Sequence, residues 1–276
     1  MSPFSEAANA GLSVDSFLTQ PVSLRIIPFQ TYSGIINMAV DTWFAMHQSD
    51  REGILRFYGW KPYCISIGYH QDMKILDLEK VHRAASDIVR RPTGGRAIYH
   101  AEELTYSVIL PKSVIGHREL YLFIHRILAN ALRQLGYMVE LKSVGAPMSM
   151  LRQMASDYAC FTSSAYSEIQ YMGRKVVGSA QKIYKKTNLQ HGSVIIGKAH
   201  LNLADFLLAG SAERICIEKE LREKTISLSE IREGNILPQT IMQAIITQIK
   251  AVQNISVYSK KLTTDEIRLA TKCIVN

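Results

Sequence analysis

The chain has 276 residues, 47% hydrophobic and 20% charged, with a formal net charge of +8 and a pI near 9.3. This composition excludes a disordered or collagen-like chain and fits a globular protein with a large core and an acidic partner. No apolar run reaches the roughly 20 residues needed to span a bilayer, so no membrane association is expected. The basic excess is spread out, without an arginine-rich tail or lysine block, so no nucleic acid is expected either. Cys64, Cys160, Cys216 and Cys273 lie far apart without a CxxC pair, which argues against a disulfide framework or a zinc site and for a cytoplasmic setting.

Residues 1–22 are small and polar, lack the marks of a secretory signal, and predict a flexible N-terminal extension. Residues 23–276 predict one catalytic domain, helical from about residue 200. "VSLRIIPF" alternates as a strand, and "GIINMAVDTWFAMHQ" has helical spacing. "GILRFYGW" and "YCISIGYH" are strands joined at Lys61-Pro62. "LDLEKVHRAAS" is a short helix, "DIVRRP" a strand, and "AIYHAEELTYSVILP" strand material. "ELYLFIHRILANALRQLGY" is a helix whose apolar face runs through Leu120, Phe123, Ile124, Ile127, Leu128, Ala131 and Leu135, ended by Gly136. "MVELKSV", "YSEIQYMGRKVVGSAQKIY" and "LQHGSVIIG" are strands, with a hairpin turn at Met172-Gly173. Helical patterns follow in "LADFLLAG", "LPQTIMQAIITQIKAVQ" and "TTDEIRLATKCI". Several gaps are too short for βαβ crossovers, so the expected architecture is α+β with a mixed, largely antiparallel sheet flanked by helices.

GxGxxG, GxxxxGK[ST], HExxH and GxSxG are all absent. Three clusters remain. In "RRPTGGRAIYH", Gly94 and Gly95 stand beside Arg90, Arg91 and Arg96. Such a loop either aims backbone N–H groups and guanidinium forks at an anion or carbonyl, or is a plain turn with surface arginines. In "ACFTSSAYSEI", Cys160 is either a small buried hydrophobe or a nucleophile that needs a nearby cation, since an unperturbed thiol has a pKa of about 8.5. In "GRKVVGSAQ…LQHGS", Lys175 follows a turn and is either solvated or brought close to Cys160 by antiparallel strands. There its ammonium would favour the thiolate and stabilise an oxyanion. His191 is either a base or a structural histidine at a strand start.

At these clusters the sequence resembles the lipoate/biotin protein ligase and octanoyltransferase superfamily. The resemblance rests on "RRPTGGRAIYHAEELTYS", "CFTSSAYSEI", "GRKVVGSAQ" and "LQHGS", with "INMAVD" and "RFYGWKPYCISIGYHQ" before them in the family's order. It covers roughly residues 25 to 200 and implies the biotin/lipoate ligase catalytic fold. Arg96 stands where ATP-dependent ligases carry a third glycine, and His100 is followed by "AEELTYS" rather than a Gly-Asn pair. With cysteine preceding lysine, these variants resemble the cysteine-dependent octanoyl-[acyl carrier protein]:protein N-octanoyltransferases. Thr187 departs from the glycine often found there, and residues 142–158 match nothing recognisable.

The resemblance implies octanoyl transfer from octanoyl-acyl carrier protein, through a Cys160 thioester, to a lysine of a lipoyl domain or glycine cleavage H protein. Cys160 and Lys175 would be catalytic. Arg90, Arg91, Gly94, Gly95, Arg96, His100, Gly178, Ser179, Ala180, His191 and Gly192 would bind substrate. No metal and no cofactor would be required, and a monomer is expected. An ATP-dependent lipoate-protein ligase and a non-catalytic acyl- or lipoyl-domain-binding protein remain as alternatives.

Overall fold

The computed structural model describes residues 17–143, 167–234 and 236–275. Eleven strands lie among them: β1 (Val22–Tyr32), β2 (Glu52–Trp60), β3 (Cys64–Ile67), β4 (Asp87–Arg90), β5 (Ile98–His100), β6 (Glu103–Pro111), β7 (Glu140–Ser143), β8 (Ser167–Tyr171), β9 (Arg174–Ile183), β10 (Thr187–Ile195) and β11 (Ile255–Ser259). The helices are α1 (Gly34–His47), α2 (Leu78–Arg83), α3 (His117–Gln134), α4 (Ser211–Lys224), α5 (Leu228–Ile231), α6 (Pro238–Lys250) and α7 (Thr264–Val275). Of "LADFLLAG", expected to be helical, only residues 203–206 are, at the end of a 3₁₀ segment, Ala199–Phe206. Among the described residues no helix is long and apolar enough to cross a membrane.

An eight-stranded sheet runs β11-β1-β2-β6-β10-β9-β8-β7, and a three-stranded sheet runs β4-β3-β5. β1 pairs in parallel with β2 and β11, β3 pairs in parallel with β4, and the remaining pairings are antiparallel. The expected mixed sheet is therefore present. Alternate residues of each strand serve opposite faces. Leu24, Leu55 and Val108 pack with α3 and α6, while Ile27, Ile54 and Ile109 pack with α1 and with Ala270 of α7.

Two expectations change. The run "AIYHAEELTYSVILP" breaks at Ala101-Glu102, so that β5 joins the small sheet and β6 the large one. β2 and β3 likewise belong to different sheets, and a cleft lies between the sheets. The expected loose extension over 1–22 does not hold for its described end. Phe17 and Leu18 are buried in the main core, and the Thr19 N–H donates to the Val114 carbonyl at 2.9 Å. Residues 1–16 lie outside the described structure.

Gly68, just after β3, marks a tight contact between two loops. A Cβ there would sit 1.8 Å from the carbonyl oxygen of Gly95. That oxygen belongs to backbone and cannot swing away as a side chain would. Gly68→Ala is expected to destabilise the fold by at least the 1–3 kcal/mol or so of an overpacked site, read as a lower urea midpoint at unchanged m value. A midpoint equal to wild type would show that this loop yields freely.

Candidate active site

The cleft and the open solvent at its mouth together hold about 690 Å³ of space between atoms. Its apolar walls are Met38 of α1, Tyr58 and Trp60 of β2, Ile98 of β5, Tyr121 of α3 and Val177 of β9. Polar groups enter from both sheets.

Lys175 lies on the cleft wall, and it is not a solvated strand-end residue. Only 7% of its surface is exposed, and its Nζ is 2.9 Å from Oε1 of Glu168, which is 6% exposed. Local sequence explains the placement. Met172 and Gly173 both take positive φ, 50° and 78°, as a tight two-residue hairpin requires. Gln170 pairs with Lys175, yet Ile169 pairs with Val177, so the β8–β9 ladder is irregular beside the lysine. Such a bulge re-aims the neighbouring side chains. The chain between α4 and α5 then covers the strand, with the Ile226 N–H donating to the Lys175 carbonyl at 3.0 Å. Gln170 Nε2 donates to the other carboxylate oxygen of Glu168 at 2.6 Å.

Behind the pair sits His125 of α3. Its Nδ1 is 2.9 Å from Ser167 Oγ and its Nε2 is 2.9 Å from Ser179 Oγ, so one ring ties α3 to β8 and β9. Burial, seconded by the nearby Lys175 ammonium, pushes the imidazole down to about 3. At neutral pH His125 is uncharged and leaves Lys175 as the cation beside Glu168. Ser179 is also joined to the Tyr106 hydroxyl at 2.6 Å.

Across the cleft, Glu103 Oε1 gathers four partners: Thr105 Oγ1 at 2.5 Å, Ser193 Oγ at 2.7 Å, His100 Nδ1 at 2.8 Å and Trp60 Nε1 at 3.0 Å. Burial opposes its charge, but His100, through its hydrogen bond and through the charge it carries when protonated, outweighs it together with the Ser193 and Thr105 hydroxyls and holds the carboxyl below its ordinary range. The His100 ring stacks on Trp60 with centroids 4.1 Å apart, and its Nε2 is 2.7 Å from Ser66 Oγ.

The third network lies under the glycine loop. His191 Nε2 is 2.7 Å from Thr93 Oγ1, and its Nδ1 is 3.5 Å from Asp41 Oδ2. Asp41 also pairs with Arg56 at 2.9 Å and accepts from the Tyr58 hydroxyl at 2.9 Å. Burial alone would raise the Asp41 carboxyl, but the His191 hydrogen bond and the Arg56 charge hold it low. Burial depresses His191 as well.

The structure brings Lys175, Gly178, Ser179, Ala180, His191, Gly192, Arg91 and His100 together around the cleft. His191 lies in the middle of β10, not at a strand start. Gly192 has a packing role, since a Cβ would come within 2.4 Å of the Gly178 carbonyl oxygen. Arg90 and Arg91 do not present free forks at the mouth. Arg90 NH1 donates to the carbonyls of Gly68, Tyr69 and Gln71, and Arg91 donates to those of Ser66, Gly94 and Arg96. These two arginines fix the loop. Neither Gly94, Gly95 nor Arg96 is on the cleft wall, and Gly95 has φ of 96° and packs on Gly68. Cys160 lies outside the described residues. The sequence reading missed Glu168, His125, Glu103, Asp41 and Ser66.

The model of the lipoyl protein ligase A/B catalytic domain family matches residues 33–250. An octanoyltransferase LipM of Brevibacillus brevis is 33% identical over 262 residues, covering 91% of this chain and 94% of its own. One of Bacillus subtilis is 30% identical over 259 residues, covering 90% and 92%. Among solved structures, a lipoate-protein ligase A bound with ATP superposes with a TM-score of 0.71 at 19% identity, over 92% of this chain and 95% of that one. A bi-partite lipoate protein ligase from Thermoplasma acidophilum gives 0.72 at 20% identity, over 93% of each chain. At such identities these structures speak for the fold, and the lipoate ligase fold is the one expected from the sequence.

Proposed function

Because the chain belongs to the lipoyl protein ligase A/B catalytic domain family, we propose that it is an octanoyltransferase of protein lipoylation working through a cysteine thioester. The observation that carries this reading is the near full-length similarity to the octanoyltransferase LipM of Brevibacillus brevis, 33% identical over 94% of that protein. The apolar cleft with a buried lysine on its wall supports it.

In this mechanism octanoyl-acyl carrier protein is the donor. The Cys160 thiolate attacks the donor thioester carbonyl and the carrier thiol leaves as the new thioester forms. The ε-amine of a lysine on a lipoyl domain or glycine cleavage H protein then attacks, giving an amide and regenerating the thiol. Two easier steps replace one hard one. The Lys175 ammonium supplies positive charge for the thiolate and for the carbonyl oxygen of each tetrahedral intermediate. Tyr58, Trp60 and Val177 offer the acyl chain an apolar wall.

Mixing the protein with octanoyl-acyl carrier protein in the absence of ATP is expected to add one octanoyl mass to the intact chain. Peptide mapping is expected to find it on Cys160, and a lipoyl domain is expected to discharge it. An adduct on another residue, or none without ATP, would overturn the reading.

A further inference from the structure

An acceptor lysine reaches the cleft as an ammonium, since its pKa is about 10.4, and an ammonium has no lone pair for attack. Something must take a proton before the second half of the reaction can begin. The described cleft holds several titratable side chains: Lys175, Glu168, His191, His100 and the guanidinium of Arg91. Lys175 and Glu168 are paired with each other. His191 has one ring nitrogen on Thr93 and the other facing Asp41. His125, behind the wall, is surrounded by Ser167 and Ser179 and does not line the cleft.

His100 is held in the same manner, but its hydroxyl partner Ser66 lines the cleft, whereas Thr93, the partner of His191, does not. Glu103 lies 2.8 Å from His100 Nδ1 and fixes the proton there, which leaves Nε2 as an acceptor. That nitrogen is 2.7 Å from Ser66 Oγ. Arg91 NH1 donates to the same serine oxygen at 3.0 Å, so the hydroxyl proton is directed at the imidazole. Ser66 and His100 both line the cleft, and stacking on Trp60 holds the ring in its plane. A carboxylate, an imidazole in the matching tautomer and a hydroxyl thus stand in line, the order by which a proton is drawn from a cleft into a buried base.

We propose that Ser66, His100 and Glu103 form the proton relay that activates the acceptor amine, Ser66 being the group that touches it. This rests on the octanoyl-transfer reading. One ammonium proton passes to Ser66 Oγ while the serine's own proton passes to His100 Nε2, and the imidazolium is stabilised by Glu103. The freed nitrogen lone pair forms the C–N bond and the carbonyl π pair moves to oxygen. As the intermediate collapses the C–S bond breaks, the pair stays on sulfur, and the second nitrogen proton neutralises the thiolate. His100 returns the first proton to solvent.

The test compares two nucleophiles on the octanoylated protein, a lipoyl-domain lysine and hydroxylamine, which is uncharged at neutral pH and needs no base. In Ser66→Ala the ratio of the lysine rate to the hydroxylamine rate is expected to fall by about 10²-fold, the lower end for a lost general base. His100→Gln is expected to lower the ratio likewise. A purely structural defect slows both nucleophiles and leaves the ratio at its wild-type value, which would overturn the relay. A wild-type protein that takes up no octanoyl group would instead overturn octanoyl transfer, and the relay with it.

Discussion

Lys175→Ala is expected to lower the single-turnover acylation rate by about 10²–10³-fold, the usual loss when one donor to a developing oxyanion is removed. The same change is expected to cost stability. Glu168 is 6% exposed, and the lysine is its counter-charge at 2.9 Å. Breaking a buried pair from one side costs about 3–5 kcal/mol. The low end applies here, because the cleft lets water reach the carboxylate. Lys175→Arg keeps the charge but brings a planar fork into a space shaped for an ammonium, so it is expected to recover stability better than rate. Lys175→Met combined with Glu168→Gln separates the two roles. It is expected to restore most of the denaturant midpoint and none of the acylation. An acylation rate within about threefold of wild type for Lys175→Ala would make the lysine only a structural partner of Glu168, since even one lost donor costs far more.

Acid is expected to unfold the protein through His125. Its folded pKa of about 3 lies below the roughly 6.5 of an unfolded histidine. Between those values the unfolded chain binds a proton that the native state refuses, so stability rises with pH across this window. Stability is therefore complete above about pH 6.5 and falls by about 1.4 kcal/mol for each unit below it, reaching about 3 kcal/mol by pH 4. Burial depresses His191 too, adding loss in the same direction. His125→Gln keeps an amide between Ser167 and Ser179 but cannot titrate. Urea midpoints measured from pH 7 to 4 are expected to fall less steeply in this variant than in wild type. Parallel curves would show that His125 accepts a proton in the folded state without penalty.

The strands of the middle region are legible because their apolar residues alternate and their turns carry the residues that positive φ demands, as at Met172-Gly173. α3 is legible from its apolar face. α4 shows no apolar face in the sequence, because only Ile217 and Leu221 of its residues are buried. Its signal lay in charge spacing instead: Glu218–Arg222, Lys219–Glu223 and Glu220–Lys224 are all i,i+4 pairs. β11 escaped because five residues with only Ile255 and Val257 apolar sit between two helices.

At the site, Lys175 and His191 could be picked from sequence, but their burial could not. Glu168, Glu103 and Asp41 are ordinary carboxylates until the sheets place them beside Lys175, His100 and Arg56. His125 carried a readable mark. It lies four residues after Tyr121 on a helix face that is otherwise apolar, and a polar residue there has to find partners inside. The arginine-rich loop stays open between two readings in the sequence for a simple reason. Guanidinium groups that bind carbonyls of their own neighbourhood have the same sequence as ones that await an anion.

The Val22–Tyr32 strand is held by a much later stretch of the polypeptide. Ile255–Ser259 runs alongside it in parallel, and the Val22 N–H donates to the Asn254 carbonyl at 2.9 Å. Arg25 reaches the carbonyls of Lys260 and Lys261 and pairs with Glu266 at 2.5 Å. On a ribosome, which releases earlier residues before later ones, one flank of β1 stays bare until Ile255–Ser259 has emerged. Bare strand flanks recruit other chains. The nascent protein thus carries an adhesive border from Tyr32 until Ser259 is out, and its dependence on holding chaperones should follow how quickly the stretch between them is read.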